Sequence, residues 1–246
     1  MKKYLPIYEK GDHKWYCLYK DPKRASHLVG TKEYVIQSGS SVLLTDPGGT
    51  EVFPEIVSSI AEIVDFAAID RVFCTHQDPD VFSSIALWLQ IKPDLKVYLP
   101  KIWLGFMLHF AGAANTFELI PDEGMSIPLG NLNLQAIPAH YVHSSGNFSL
   151  YDPEAKILFS GDIGAAIIPK DGDDPFVKNF DAHLPLIEGF HKRWLGSNEH
   201  KNQWCERVLE LDLDFLAPQH GLIYQGKMIK TFLEWLHDLK VGQIVY

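Results

Sequence analysis

Four short segments hold most of the side chains able to do chemistry: His76-Gln77-Asp78-Pro79-Asp80, His143-Ser144-Ser145-Gly146, Gly161-Asp162 and Gln219-His220-Gly221. Imidazoles and carboxylates without clustered thiols are donors for a borderline or hard metal ion. His76, Asp78 and Asp80 stand at alternate positions, so an extended backbone would put all three on one face. Pro79 favours a sharp turn instead, which would send Asp78 and Asp80 apart, toward two neighbouring ions. Two ionised carboxylates this close repel each other unless one is protonated or a cation lies between them. A metal is the simpler solution, although an aspartate before a helix is also a common N-cap. Asp162, between Gly161 and Gly164, sits in a turn with little side-chain crowding, which suits a carboxylate bridging two ions; an ordinary turn aspartate is the alternative. His220 precedes Gly221 and could be a structural histidine taken alone. Four such segments in succession point to a metal site.

Each segment falls where a strand is predicted to run out, the place where a rigid scaffold presents ligands. Tyr34–Gln37 and Val42–Thr45 read as β-rich runs around Ser38-Gly39-Ser40, followed by the break Asp46-Pro47-Gly48-Gly49. Ile56, Ile60, Ile63 and Val64 recur at helical spacing within Pro54–Phe66. Arg71–Thr75 reads as a strand, Ser83–Ile91 as a helix and Lys96–Leu99 as a strand. Leu132–Pro138, Asn147–Tyr151 and Lys156–Ser160 read as sheet, the last two joined by the hairpin turn Asp152-Pro153-Glu154. Asn202–Leu211 and Met228–Leu239 read as helices around the strand Phe215–Ala217. Two sheets with helices outside fit this order, and propensity alone leaves a doubly wound sheet as the alternative. With no repeat and no linker, residues 1–246 are expected to form a single domain.

Composition narrows the function classes. A net charge of −9 disfavours nucleic acid as a bulk partner. Three separated cysteines, Cys17, Cys74 and Cys205, make neither a disulfide framework nor a thiolate zinc site. Reduced buried thiols suit the cytoplasm. No signal peptide is visible in Met1–Lys10, and the longest apolar stretch, Ile102–Ala114, is too short to span a bilayer and contains His109. No membrane association is expected.

Taken in order, the four segments resemble the metallo-β-lactamase superfamily, whose signature is His-x-His-x-Asp-His, then a turn histidine, a bridging aspartate and a last histidine. The resemblance runs from about Val42 to Tyr224. It implies an αββα sandwich of the α/β class and the metal ligands His76, Asp78, Asp80, His143, Asp162 and His220. Thr45-Asp46-Pro47-Gly48 looks like the family's early Asp-Thr-Gly turn, which supports the site, so Asp46 is expected behind the ligands. Two positions depart from the hydrolase pattern: Asp78 replaces the second histidine and Val81 the final one. An acidic residue at the former marks the iron branch, the flavodiiron reductases and the oxygen-binding di-iron proteins. A carboxylate-rich site also suits iron or manganese better than zinc. The resemblance therefore implies two iron ions, manganese and zinc being the alternatives.

Flavodiiron enzymes carry a flavodoxin domain after the metal domain. This chain shows no such segment and no Gly-rich flavin loop, so no flavin is expected in it, and Pro138–Phe148 looks like the flavin-free, oxygen-binding group. Valine at position 81 cannot bind metal. The second ion would keep Asp80, Asp162 and His220 with an open position for water, O2 or another small ligand, or its site would be weak. His143 and His140 compete for the middle position. The resemblance favours His143, whose His143-Ser144-Ser145-Gly146 looks like the family's His-Thr-x-Gly turn and whose 19-residue distance to Asp162 is similar to that of flavodiiron proteins, with His140 behind it or in the pocket wall. His109, His183, His191 and His200 read as surface or cap residues.

Two functions from different classes follow. One is an O2-binding, O2-sensing or O2-reducing di-iron protein that relies on an external electron donor or signalling partner. The other is a dinuclear hydrolase such as a phosphodiesterase, in which two ions clamp an ester and generate hydroxide. An interaction module with a relict site is a third. No catalytic residue is assigned, enzyme activity is left open, and so is a homodimer.

Overall fold

The computed structural model describes residues 4–18, 29–111, 116–167 and 174–244. It divides into two compact units, one comprising Met1–Arg24 and Thr31–Leu134, the other Ala25–Gly30 and Gln135–Tyr246.

The first unit carries a seven-stranded sheet whose strands lie side by side in chain order: β1 (Tyr4–Lys10), β2 (His13–Leu18), β3 (Tyr34–Ser38), β4 (Ser41–Thr45), β5 (Ile69–Phe73), β6 (Lys96–Pro100) and β7 (Phe117–Ile120). The β1 to β4 pairs are antiparallel; β4 to β7 run parallel. The β3–β4 hairpin closes through Gly39 at φ +59°, the left-handed geometry that tight hairpin turns need. Parallel neighbours require crossovers, which are supplied by α1 (Phe53–Ile60), by α2 (Pro79–Phe82) with α3 (Ile85–Ile91), and by α4 (Leu104–Ala111). Val42, Leu43, Leu44, Val72 and Phe73 are fully buried, as strands covered on both faces demand. The expected helix Pro54–Phe66 stops at Ile60; Asp65 instead caps a 3-10 turn by accepting the Ala67 N–H at 2.9 Å. In the apolar stretch Ile102–Ala114, α4 ends at Ala111, and Ala113 and Ala114 lie outside the described residues.

The second sheet has the order β13 (Tyr224–Gln225), β12 (Phe215–Pro218), β11 (Ile157–Gly161), β10 (Phe148–Asp152), β9 (Leu132–Pro138), β8 (Met125–Leu129), with the unit boundary inside β9. The β10–β11 turn forms because the Asp152 carboxylate accepts the N–H groups of Glu154 at 3.0 Å and Ala155 at 3.1 Å. β11 and β12 are parallel. In the second unit, α5 (Phe180–Trp194), α6 (Asn198–Leu209) and α7 (Lys227–Asp238) share a core with the sheet through Ile187, Trp204, Val208, Leu216, Phe232 and Leu236. All three cysteines are buried and none is in a disulfide.

One turn holds the first unit's loops in place. The Pro47 carbonyl accepts from Ser84 Oγ at 2.9 Å and Trp88 Nε1 at 3.2 Å, and Gly48 N donates to the Val81 carbonyl at 3.1 Å. Gly48 has φ +83°, and a Cβ there would lie 2.6 Å from Ile56 Cδ1 and 2.9 Å from Val52 Cγ2. Gly48→Ala should therefore lower stability by about 2–4 kcal/mol, from left-handed strain plus overpacking. A shift of the urea midpoint to lower concentration checks this, and an unchanged midpoint contradicts it.

Candidate metal centre

In the first unit, parallel pairing sets the carboxyl ends of β4 and β5 side by side, so Asp46 and Thr75-His76 leave the sheet at the same edge. The fully buried Asp46 accepts the Thr75 N–H at 2.8 Å and the Thr75 hydroxyl at 2.9 Å. That hydroxyl has one proton, which goes to Asp46. Its contact with His76 Nδ1 at 2.8 Å must then be one in which the ring N–H donates. His76 Nε2 is left with its lone pair, 3.5 Å from Asp78 Oδ2. Asp78 occupies the N-cap position of α2 but makes no side-chain cap bond; its other oxygen accepts from Gln77 Nε2 at 2.9 Å. Asp80 lies in the first turn of α2 and is half-buried. Val81 is fully buried among the apolar core residues of this unit. The Cys74 thiol is pushed well up by burial and by the Asp46 carboxylate, which keeps it protonated.

The same logic recurs in the second unit. β11 and β12 are parallel, Gly161 pairs with Pro218, and Gln219 N donates to the Gly161 carbonyl at 2.8 Å. Asp162 and His220 are thereby delivered to one edge. Asp162 Oδ2 lies 3.3 Å from His143 Nε2, and Oδ1 lies 3.4 Å from His220 Nε2. Each carboxylate oxygen thus faces a different imidazole. These separations exceed the about 2.7–2.9 Å of a charged hydrogen bond, whereas two ligands each about 2.1 Å from one ion stand about 3.0–3.4 Å apart. The Gly30 carbonyl, 2.8 Å from His220 Nδ1, holds a proton on that nitrogen and leaves Nε2 as the donor atom. The three side chains are about 95% buried, being 4–5% exposed. The donor set fits a cation.

His143 reaches this position through a turn with φ +84° at His143 and +60° at Tyr141, a conformation uncommon outside glycine. The turn is tied by Tyr141 N to the Ser144 carbonyl and by Asn147 Nδ2 to the Val142 carbonyl, both at 2.8 Å. Phe190 stacks on the His143 ring at 6.0 Å between centroids, with Trp194 beside it at 5.6 Å. His140 meets the Phe148 ring edge-on.

His183 and His191, expected at the surface or in caps, are buried in α5 at 3% and 0% exposure. Burial pushes both down to about 4. His191 Nε2 accepts the Gly164 N–H at 2.9 Å while Nδ1 donates to the Ile187 carbonyl at 2.8 Å. Their signal was the i, i+4, i+8 spacing of His183, Ile187 and His191, which puts both imidazoles on a buried helical stripe. His109 is exposed, and His200 contacts Ser197 at the start of α6.

Two outcomes follow. His143→Ala should lose bound metal while His140→Ala keeps it, measured as metal per chain; the reverse result would exchange their roles. The second outcome concerns acid stability. His183 and His191 titrate near 4 when folded and near 6.5 when unfolded. Between those values the unfolded chain takes up protons that the folded chain refuses. Stability is therefore intact above 6.5 and falls as pH drops through the window, by up to about 1.4 kcal/mol per pH unit for each group. His191→Gln should make this slope shallower in melts of the metal-free protein from pH 6.5 to 4.5; an unchanged slope would show that His191 is not held neutral.

Comparison with known proteins bears on the same residues. A family model described as ODP family beta lactamase matches residues 29–221. The structure described as the apo state of chemotaxis sensor ODP from T. denticola is 42% identical, covers 97% of this chain and 95% of that chain, and has a TM-score of 0.89. A second, described as the peroxy diiron species of chemotaxis sensor ODP, is 42% identical over 98% of this chain and 96% of that chain, with a TM-score of 0.87. Flavo-diiron protein FprA2 of Clostridium acetobutylicum is 22% identical over 77% of this chain and 48% of its own length. The chain spans less than half the length of the curated relatives that it matches. A match that runs through both groups of donor residues and most of the sequence makes the chain a member of the ODP family of beta lactamases, with the mixed α/β, two-sheet fold of the metallo-β-lactamase type.

Proposed function

We propose that the protein is a non-haem di-iron protein that binds and senses O2, with His76, Asp78, Asp80, His143, Asp162 and His220 as ligands to a pair of ions within one domain. The observation that carries this reading is the buried Asp162 carboxylate, with one oxygen toward His143 and the other toward His220. A carboxylate shared in this way is what two adjacent cations require. The family match supports the joint use of all six donors, since it runs through every one of them. Three carboxylates with three imidazoles make a hard donor set, which favours iron over zinc, with manganese as the runner-up. The relatives described as a chemotaxis sensor and as a diiron species support sensing as the output.

Bound iron would supply open coordination and the electrons that O2 takes up. The chain's own residues do the rest. Thr75 and Asp46 hold the His76 tautomer, Gly30 holds that of His220, and the Phe190 ring stacks on His143 with Trp194 beside it. In this reading an electron donor re-reduces the site, and the signal passes to a partner protein or to a second copy of the chain. Three buried cysteines outside any disulfide support a reducing cytoplasm, and among the described residues no helix is long and apolar enough to cross a membrane.

Metal analysis of protein made without added metal, followed by anaerobic reduction and timed exposure to O2, tests the reading. Two irons per chain and a near-ultraviolet and visible band that appears with O2 are expected. Colourless zinc-loaded protein that cleaves phosphodiesters would replace it with the hydrolase. Asp162→Asn should weaken binding of both irons by at least about tenfold, because an amide lacks the charge that holds two cations. Wild-type iron affinity in that variant would remove the bridging role.

A further inference from the structure

We infer that His191, together with Tyr224 and His183, positions the Asp162 carboxylate by clamping the backbone two residues beyond it. The inference rests on Asp162 serving as a ligand, as proposed above.

Asp162 leaves β11 on a short loop between Gly161 at φ +59° and Gly164 at φ +97°. The loop is tied internally: Ala165 N donates to the Asp162 carbonyl at 3.1 Å, and Ser160 Oγ to the Ile163 carbonyl at 2.6 Å. Its far end is held from outside on both sides. From α5, His191 Nε2 accepts the Gly164 N–H at 2.9 Å. From β13, Tyr224 Oη donates to the Gly164 carbonyl at 3.1 Å. The two bonds seize the successive peptide planes on either side of Gly164, so neither plane can rotate without breaking one. A Cβ at Gly164 would lie 3.1 Å from Tyr224 Cε2, which shows how closely the ring lies against this backbone.

The proton order is determined throughout. His191 Nδ1 donates to the Ile187 carbonyl, so Nε2 carries the lone pair that Gly164 needs. Tyr224 gives its only proton to Gly164, so His183 Nε2, 3.1 Å from the phenol, must be the donor to it. Both nitrogens of His191 are thereby engaged, which removes it as a metal ligand and leaves positioning as its role. The buried phenol of Tyr224 is pushed well up and stays a donor. A bridging carboxylate must aim two oxygens at two ions at once, and a ligand displaced by more than about 0.5 Å loses that geometry.

The test compares His191→Leu, His191→Gln and Tyr224→Phe with wild type. It reads ferrous affinity by chelator competition, the absorption spectrum of the oxidised protein, and the melting temperature of the metal-free protein. His191→Leu should lower iron affinity about 10–100-fold and alter the spectrum. His191→Gln, whose amide oxygen can accept the Gly164 N–H, should restore both. Tyr224→Phe removes one hydroxyl, keeps the ring packing and should weaken iron in the same direction; it also carries the test if His191→Leu does not fold. Wild-type affinity and spectrum in His191→Leu and Tyr224→Phe would overturn the clamp and leave the di-iron reading standing. A loss in His191→Leu that Gln does not rescue and that only follows the melting temperature would also overturn it. Wild-type protein unable to hold two metal ions would remove the di-iron reading, and the clamp with it.

Discussion

Two strands that run parallel end at the same edge of a sheet, and the chemistry of this protein depends on that constraint. In the first unit, β4 and β5 end together, which sets Asp46 against Thr75 and aims His76. In the second, β11 and β12 end together, which sets Asp162 beside His220. An antiparallel pairing would have sent the two residues of each pair to opposite edges. The requirement for parallel pairing in turn dictates the crossover segments and the apolar character of β4, β5 and β11. The scaffold is thus arranged around the direction of four strands.

The electrostatics follow from burial. Asp46 is fully buried and Asp162 nearly so, and ionised carboxylates in such places are tolerated only with strong partners. Asp46 has neutral donors from Thr75 and acts by orienting a neighbour. Asp162 has two imidazole nitrogens, and the His220 proton is already committed to Gly30. That arrangement suits a carboxylate placed beside a cation, as proposed above. The same device appears three times: a fixed acceptor takes one ring N–H, and the other nitrogen is left with its lone pair facing inward or toward backbone. His76, His220 and His191 differ in what that second nitrogen meets, not in how it is prepared.

The candidate donors stood out in the sequence because few residue types can bind a metal and each segment was read as following a strand; Asp78 and Asp80 lie instead at the start of α2, and His143 lies in a turn beyond β9. The strands β3 to β6 and β9 to β12 were legible from alternation and β-branched runs. Less local features were not. Helix α5 carries Pro185 inside it, which reads as a breaker. The hairpin β1–β2 and the strands β7 and β8 lack a clean pattern, since β8 alternates only over five residues. Helix α1 stopped short of its periodic apolar residues Ile63 and Val64 because a cap at Asp65 competed for the chain. Tautomer control was invisible, because Gly30 offers only a carbonyl and lies 190 residues from His220. His183 and His191 were misjudged because a histidine on an apolar stripe looks like an intruder until its bonding partners are known.

That separation of 190 residues between Gly30 and His220 has a consequence for the nascent chain. At about 5–20 residues per second of synthesis, the carbonyl emerges from the ribosome roughly ten to forty seconds before the imidazole that it orients. Throughout that interval the earlier histidines and aspartates exist without the last donor in its proper tautomer. On the ligand set proposed above, a chain that has not yet reached residue 220 lacks one of its six donors, so the full set comes together only after nearly nine tenths of the sequence has been made.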